Sequence, residues 1–395
     1  MRPALEVADI VRAHGEEFLR ANARTLSPAQ KRVLRAIQRC RTASLGGHVE
    51  ECNRCGHQRI AYNSCGNRHC PKCQSLARAK WLDNRQSELL PVEYFHVVFT
   101  LPEPLAALAL QNKRLLYGIL FRAAAESLQS VAADPKRLGA RIGFFAILHT
   151  WGQTMTHHPH VHCVVPGGGL APDGRAWVRC RPRFFLPVRV LSRRFRNLFL
   201  QYLERAYRGG NLLFFGELCY LKEPANFALF LRRMRKSEWV VYAKPPFGGP
   251  ERVLDYLGRY THRVAISNHR LKTLHGGQVT FAYKDYKQAD QPKAMALSAT
   301  EFLRRLLLHV LPDGFQRIRY YGFLANRQRA DALALCRELL NLPAPESPHH
   351  PLSYRERLRQ LSGKDILRCP ACNLGEMVRI REFGRGASER GIDSS

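Results

Sequence analysis

Two Cys-x-x-Cys pairs, Cys52–Cys55 and Cys70–Cys73, stand 14 residues apart near the start of the chain, and they limit its fold more than any other feature. Each such turn offers two thiolates to one ion, and two turns close a tetrahedron. We therefore expect Cys52, Cys55, Cys70 and Cys73 to hold one structural Zn²⁺ with no open position for chemistry. Cys65 is a further candidate, replacing one of the four or helping to hold a second ion, and His48, His57 and His69 lie close in sequence. The N-terminus MRPALEVADI lacks a signal-peptide core, so a reducing compartment and metal binding suit these cysteines better than disulfides. Far downstream, Cys369-Pro-Ala-Cys372 has the form of half a zinc ribbon. No second pair follows it; His349 and His350 are candidate partners, and we read it as a vestigial site that binds nothing.

Charge narrows the partner. Lys and Arg total 62 against 32 Asp and Glu, a formal charge of +30. A folded chain with that excess repels itself unless a polyanion is near, which puts nucleic acid first and an anionic membrane surface second. No apolar run reaches the roughly 18 residues needed to span a bilayer, so a cytoplasmic, nucleoid-associated bacterial protein is expected. At 395 residues and 45% apolar content, the chain can build a main domain and one or two smaller modules.

Periodicity places the elements. Val33, Leu34, Ile37 and Cys40 share one face of a helix begun by Ser27 and Pro28, whose basic residues are read as its solvated face. RAKWLDNRQSELL also reads as a helix, and VEYFHVVFT as a strand ended by Pro102. A helix through Leu115, Leu116, Ile119, Leu120 and Ala123 follows, then strands in RIGFFAILHTWGQ and HVHCVVPGGG, with Gly167–Gly169 taken as a turn. Helices are expected near 196–208, 226–237 and 251–261, and a hairpin turning at Gly276 and Gly277, before a disordered tail. The division that results is 1–90 (helical and zinc-binding), 91–345 (catalytic) and 346–395 (tail).

Several constellations carry chemistry. Seven arginines interleave with Phe184, Phe185 and Phe195 in residues 179–196. Arg181, Arg183, Arg193 and Arg194 are candidate phosphate contacts and the aromatics candidate stacking platforms for unpaired bases, although buried phenylalanines with solvated arginines explain the pattern equally well. His160-Val161-His162 lies in a strand, so both imidazoles point one way and the valine into the opposite, core face, a two-point metal site. Tyr256 and Tyr260, four apart on the helix expected over 251–261, place their phenols on one face. Arg259 and Arg263 flank them, and Lys284 lies in FAYKDY; these three join the candidate DNA contacts.

In order and in detail the chain resembles the rolling-circle insertion-sequence transposases of the HUH class that carry paired tyrosines. NSCGNRHCPKC, YFHVVFTLP, HTWGQTMTHHPHVHCVVPGGG and YLGRYTHRVAISNHRL carry the resemblance across most of residues 40–290. It implies an α+β fold, an HUH endonuclease-like central antiparallel sheet with flanking helices, preceded by a small helical and zinc-binding module. It also implies His160 and His162 as ligands of Mg²⁺ or Mn²⁺, Tyr256 and Tyr260 as nucleophiles forming a 5′-phosphotyrosine, and single-stranded element ends as substrate. Two imidazoles alone suit Mg²⁺ poorly, so a third ligand is expected, with Gln153, His96, Asp255 and His262 as candidates. His96 and His149 are read primarily as structural. The competing readings are a non-catalytic zinc-dependent DNA-binding regulator, a plasmid or phage replication initiator, and a small-molecule metal hydrolase; the last leaves the charge unexplained.

Overall fold

The computed structural model describes residues 4–74, 81–82, 85, 88–244, 253, 264–285, 291–343, 356, 359, 363 and 365–386. The chain forms two compact units: Met1–Asn84 with His262–Val310 and Ser347–Ser395, and Arg85–Thr261 with Leu311–Glu346. The first opens with α1 (Val7–Ala21), α2 (Pro28–Arg39), β1 (Gly47–Cys52) and β2 (Gln58–Tyr62). The second follows with β3 (Tyr94–Thr100), α3 (Glu103–Gln111), α4 (Lys113–Ala133), β4 (Gly143–Trp151) and β5 (His157–Pro166). It continues through the short strands β6 (Gly168–Leu170) and β7 (Trp177–Arg179), then α5 (Val188–Arg208), α6 (Pro224–Lys236) and β8 (Val241–Lys244). The chain returns to the first unit for β9 (Leu271–His275), β10 (Gln278–Asp285), β11 (Gln291–Ser298) and α7 (Ala299–Leu308). Strand β12 (Ile318–Gly322) and α8 (Arg329–Leu339) complete the second unit, and β13 (Met377–Phe383) the first.

The second unit is built on a five-stranded antiparallel sheet in the order β12-β4-β5-β3-β8. Alternation along the strands decides its faces. Val97 and Phe99 of β3, Phe144, Ala146 and Leu148 of β4, and Val161, Cys163 and Val165 of β5 join one buried cluster with α4 and α5 residues such as Leu120, Leu128, Phe195 and Phe199. Each fully buried Phe or Leu there stabilises the fold by about 1.5–3 kcal/mol. His96, His149, His160 and His162 occupy alternate positions and so the opposite face. The expected α+β architecture with a central antiparallel sheet is present.

In the first unit, α2 begins where its cap dictates. Ser27 accepts from Gln30 N while the Gln30 side chain accepts from Ser27 N, and Pro28 fills the first turn. Val33, Leu34 and Ile37 are buried, as their spacing predicts. The β9–β10 hairpin turns on Gly276 (φ 53°) and Gly277 (φ 72°), two successive left-handed positions that suit glycine in a two-residue turn.

One expectation needs correction. The glycine run after β5 is a strand: Gly168–Leu170 pairs with β7, and a Cβ on Gly168 would lie 2.6 Å from Trp177 Nε1, so glycine admits the indole. The compact units are assembled from segments distant in sequence. Strand β13 pairs with β1, and residues 262–310 belong with the N-terminal module, because hydrogen bonding follows space and not sequence position. Most of RAKWLDNRQSELL, the helix expected over 251–261 except Val253, and the last nine residues lie outside the described residues. Among the described residues no helix is long and apolar enough to cross a membrane.

Candidate active site and metal centres

The β4–β5 pairing sets His149 opposite His160 and Ile147 opposite His162. His149, His160 and His162 therefore share one face, and their ligand atoms all lie within 4.8 Å of one another. Sequence reasoning assigned His149 a structural role and sought the third ligand elsewhere. Part of the signal was available: His149 lies five residues before and His160 six after residue 154, the middle of the turn joining their strands, so a hairpin with a one-residue register shift aligns them. Of the four named candidates, Asp255 and His262 lie outside the described residues. Gln153 is not in the trio, and His96 touches it from one side.

Neighbouring atoms fix the tautomers. His160 Nδ1–H donates to the His158 carbonyl at 2.6 Å, leaving the Nε2 lone pair for a ligand. His162 Nδ1 lies 2.8 Å from His96 Nε2. Desolvation holds His96 down to about 3 and His160 down to about 4, so both rings are neutral at physiological pH. A neutral His96 Nε2 can accept from His162 Nδ1–H, which turns the other His162 nitrogen into a lone-pair donor. The His149 ring stacks on Trp151 at 4.7 Å, which limits its rotation. Three imidazoles placed this close can offer nitrogen ligands to a divalent ion.

The cysteines form two clusters, not the single site expected. Cys40, Cys65, Cys70 and Cys73 make one group and Cys52, Cys55, Cys369 and Cys372 the other. The reason is length. Cys52 and Cys55 sit at the turn of the β1–β2 hairpin, and the five residues of β2 carry the chain about 16 Å away before Cys65 is reached. There the first group meets Cys40, which terminates α2. Sulfur separations are 3.5 Å for Cys65–Cys73, and 3.7 Å for Cys40–Cys73, Cys40–Cys70, Cys52–Cys372 and Cys55–Cys369. A tetrahedron with Zn–S near 2.3 Å has edges of about 3.8 Å, whereas a disulfide needs about 2.05 Å. All twelve cysteines are free thiols. Cys369–Cys372 is thus no isolated vestige in space. Backbone N–H groups of Gly375 and Leu374 hold Cys372 down to about 6, favouring the thiolate a metal requires.

Arg181, Arg183, Arg193 and Arg194 are exposed. Phe185 stacks on Phe95 at 5.3 Å and Phe195 packs edge-on to Trp239 at 5.2 Å, so both are core. Phe184 alone of the three is open, at 48% exposure. Lys284 is exposed on β10, and the neighbouring Asp285 pairs with Lys293 at 2.8 Å. Tyr256, Tyr260, Arg259 and Arg263 lie outside the described residues.

Residues 10–101 match the family described as "Transposase zinc-binding domain", and residues 143–331 the family described as "Putative transposase". The chain is 61% identical over 384 residues to the transposase y4qJ of Sinorhizobium fredii, covering 97% of this chain and 96% of that one. It is 31% identical over 337 residues to the transposase for insertion sequence element IS801 of Pseudomonas savastanoi pv. phaseolicola, covering 84% and 79%. A solved structure of TrwC with a 27-mer DNA comprising a recognition hairpin and cleavage site matches at 13% identity and a TM-score of 0.22, covering 62% of this chain and 73% of that one. That likeness is too slight to carry weight.

Proposed function

The chain belongs to the insertion-sequence transposases, and from that premise we propose that Tyr256 and Tyr260 cut and rejoin single DNA strands beside a divalent ion held by His149, His160 and His162. The observation that carries this reading is the histidine trio, which shares one face of the sheet with its ligand atoms within 4.8 Å of one another. When bound there, Mg²⁺ or Mn²⁺ polarises a phosphoryl oxygen and offsets the charge that grows on it.

The residues supply the rest. A tyrosine hydroxyl, with an ordinary pKa near 10, loses its proton to solvent as its oxygen bonds to phosphorus. The bond from phosphorus to the 3′ oxygen breaks, and that oxygen leaves as a hydroxyl after taking up a proton. The product is a 5′-phosphotyrosine whose bond energy is conserved, so a strand's 3′-hydroxyl can reverse the step without ATP. The chain accordingly has no G-x-x-x-x-G-K-[ST] loop. With two tyrosines, one can hold a cleaved strand while the other attacks the next. Arg181, Arg183, Arg193 and Arg194 offer the cationic track along which an unpaired strand is led.

The test is direct. Labelled single-stranded DNA carrying element ends, incubated with purified protein and Mn²⁺ or Mg²⁺, should yield a covalent adduct on a denaturing gel. The adduct should be lost in the Tyr256→Phe/Tyr260→Phe and His160→Ala variants. Tight binding without an adduct under either metal would sink the proposal.

A further inference from the structure

We propose that Cys369 and Cys372 complete a second structural zinc centre with Cys52 and Cys55, so that the protein carries two zinc ions in modules of different make-up. One module closes locally through Cys40, Cys65, Cys70 and Cys73; the other joins the two ends of the chain. The family match to the zinc-binding domain covers residues 10–101, so it includes Cys52 and Cys55 and leaves Cys369 and Cys372 unassigned.

Three independent features point to an ion and not to a chance meeting of thiols. The sulfur separations of 3.7 Å for Cys52–Cys372 and Cys55–Cys369 fit the edge of a ZnS₄ tetrahedron. Both halves are zinc knuckles in their backbone as well. Arg54 N–H donates to Cys52 Sγ, Ala371 N–H to Cys369 Sγ and Gly375 N–H to Cys372 Sγ, each at 3.4 Å, and such donors stabilise sulfur that is negatively charged. The chain also leaves no room for error at the junction. A Cβ on Gly375 would run into Cys52 Sγ and come within 2.7 Å of Arg54 Cβ.

The surrounding sheet is the frame of this centre. Beyond the C-terminal knuckle, β13 pairs antiparallel with β1 from Met377 opposite Cys52 to Phe383 opposite Gly47, and β2 pairs on the other edge of β1. Asn53 N–H donates to the Glu376 carbonyl, and Glu376 N–H donates to Asn53 Oδ1 at 2.9 Å, so the two knuckles are also stitched backbone to side chain. The result is a three-stranded ribbon whose third strand comes from more than 300 residues away. Bringing such distant segments together costs loop-closure entropy, and binding of a metal that requires both knuckles offsets it. This inference does not depend on the tyrosine chemistry.

Zinc stoichiometry decides it. Full-length protein is purified in a His160→Ala/His162→Ala background, so that the histidine trio adds nothing, and its metal is counted by plasma mass spectrometry. Two zinc ions per chain are expected, falling to one in Cys369→Ser/Cys372→Ser and to one in Cys70→Ser/Cys73→Ser. Zinc-edge X-ray absorption of the parent protein needs no cysteine variant to fold, and should show four sulfur neighbours and no nitrogen. One zinc in the parent, an unchanged count in Cys369→Ser/Cys372→Ser, or mixed sulfur and nitrogen coordination would each overturn the proposal.

Discussion

His96 meets the histidine trio at His162, its Nε2 lying 2.8 Å from His162 Nδ1 and its ring stacked on the His162 ring, and it is almost wholly buried. Removing that ring frees His162 to rotate or change tautomer, and loss of such a supporting partner typically costs 10–100-fold in metal affinity. His96→Ala should therefore shift the Mn²⁺ concentration needed for adduct formation upward by about that factor, with the maximal yield recovered at high Mn²⁺. A yield that stays low at every Mn²⁺ concentration would mean that His96 does something other than position His162. Gly375 is the counterpart among the cysteines. Gly375→Ala should release the zinc of the ribbon, measured as metal content, because its Cβ has no space beside Cys52. At this scale the sequence was half legible. His160-Val161-His162 announces itself by strand alternation, while His149 is a lone histidine until its strand is paired, and no spacing rule links Cys55 to Cys369.

Among the elements, the segment entering α5 shows how one sequence pattern can hold two meanings. Phe184 and Phe185 are adjacent, yet one is open and the other stacked on Phe95 beneath the sheet. Phe185→Ala should lower unfolding stability by about 3–5 kcal/mol, as large-to-small changes in a packed core do, and this is read from denaturant melts. Phe184→Ala should leave those melts in place but weaken single-stranded DNA binding by about 1–3 kcal/mol if its ring stacks on a base. Equal loss of stability in both variants would contradict the division. The sequence could not separate the two because interleaved arginines make every position look amphipathic. Where periodicity is clean, as in Val33, Leu34 and Ile37 of α2, the element follows it closely. The Gly276–Gly277 turn was equally plain, since two successive left-handed positions leave few alternatives. Gly168 and its neighbours misled because glycine marks a turn and a close approach with the same letter.

For the whole molecule, a net charge of +30 is the property most easily read from the sequence. Much of the binding free energy for DNA should come from release of counterions, and so should fall steeply with salt. Each phosphate neutralised on a single strand contributes about 0.7 to the slope of log affinity against log salt concentration. Arg181 and Arg183 are both exposed on the approach to α5. If each meets one phosphate, Arg181→Ala/Arg183→Ala should flatten that slope by about 1.4 and weaken binding alike for every sequence tested. Fluorescence anisotropy of a labelled oligonucleotide across a salt series measures both quantities. A slope that does not change would place the DNA on another face, whereas a loss confined to one sequence would mean that these arginines read bases and not the backbone. Either departure redirects the search for the strand path to other cationic residues of the chain.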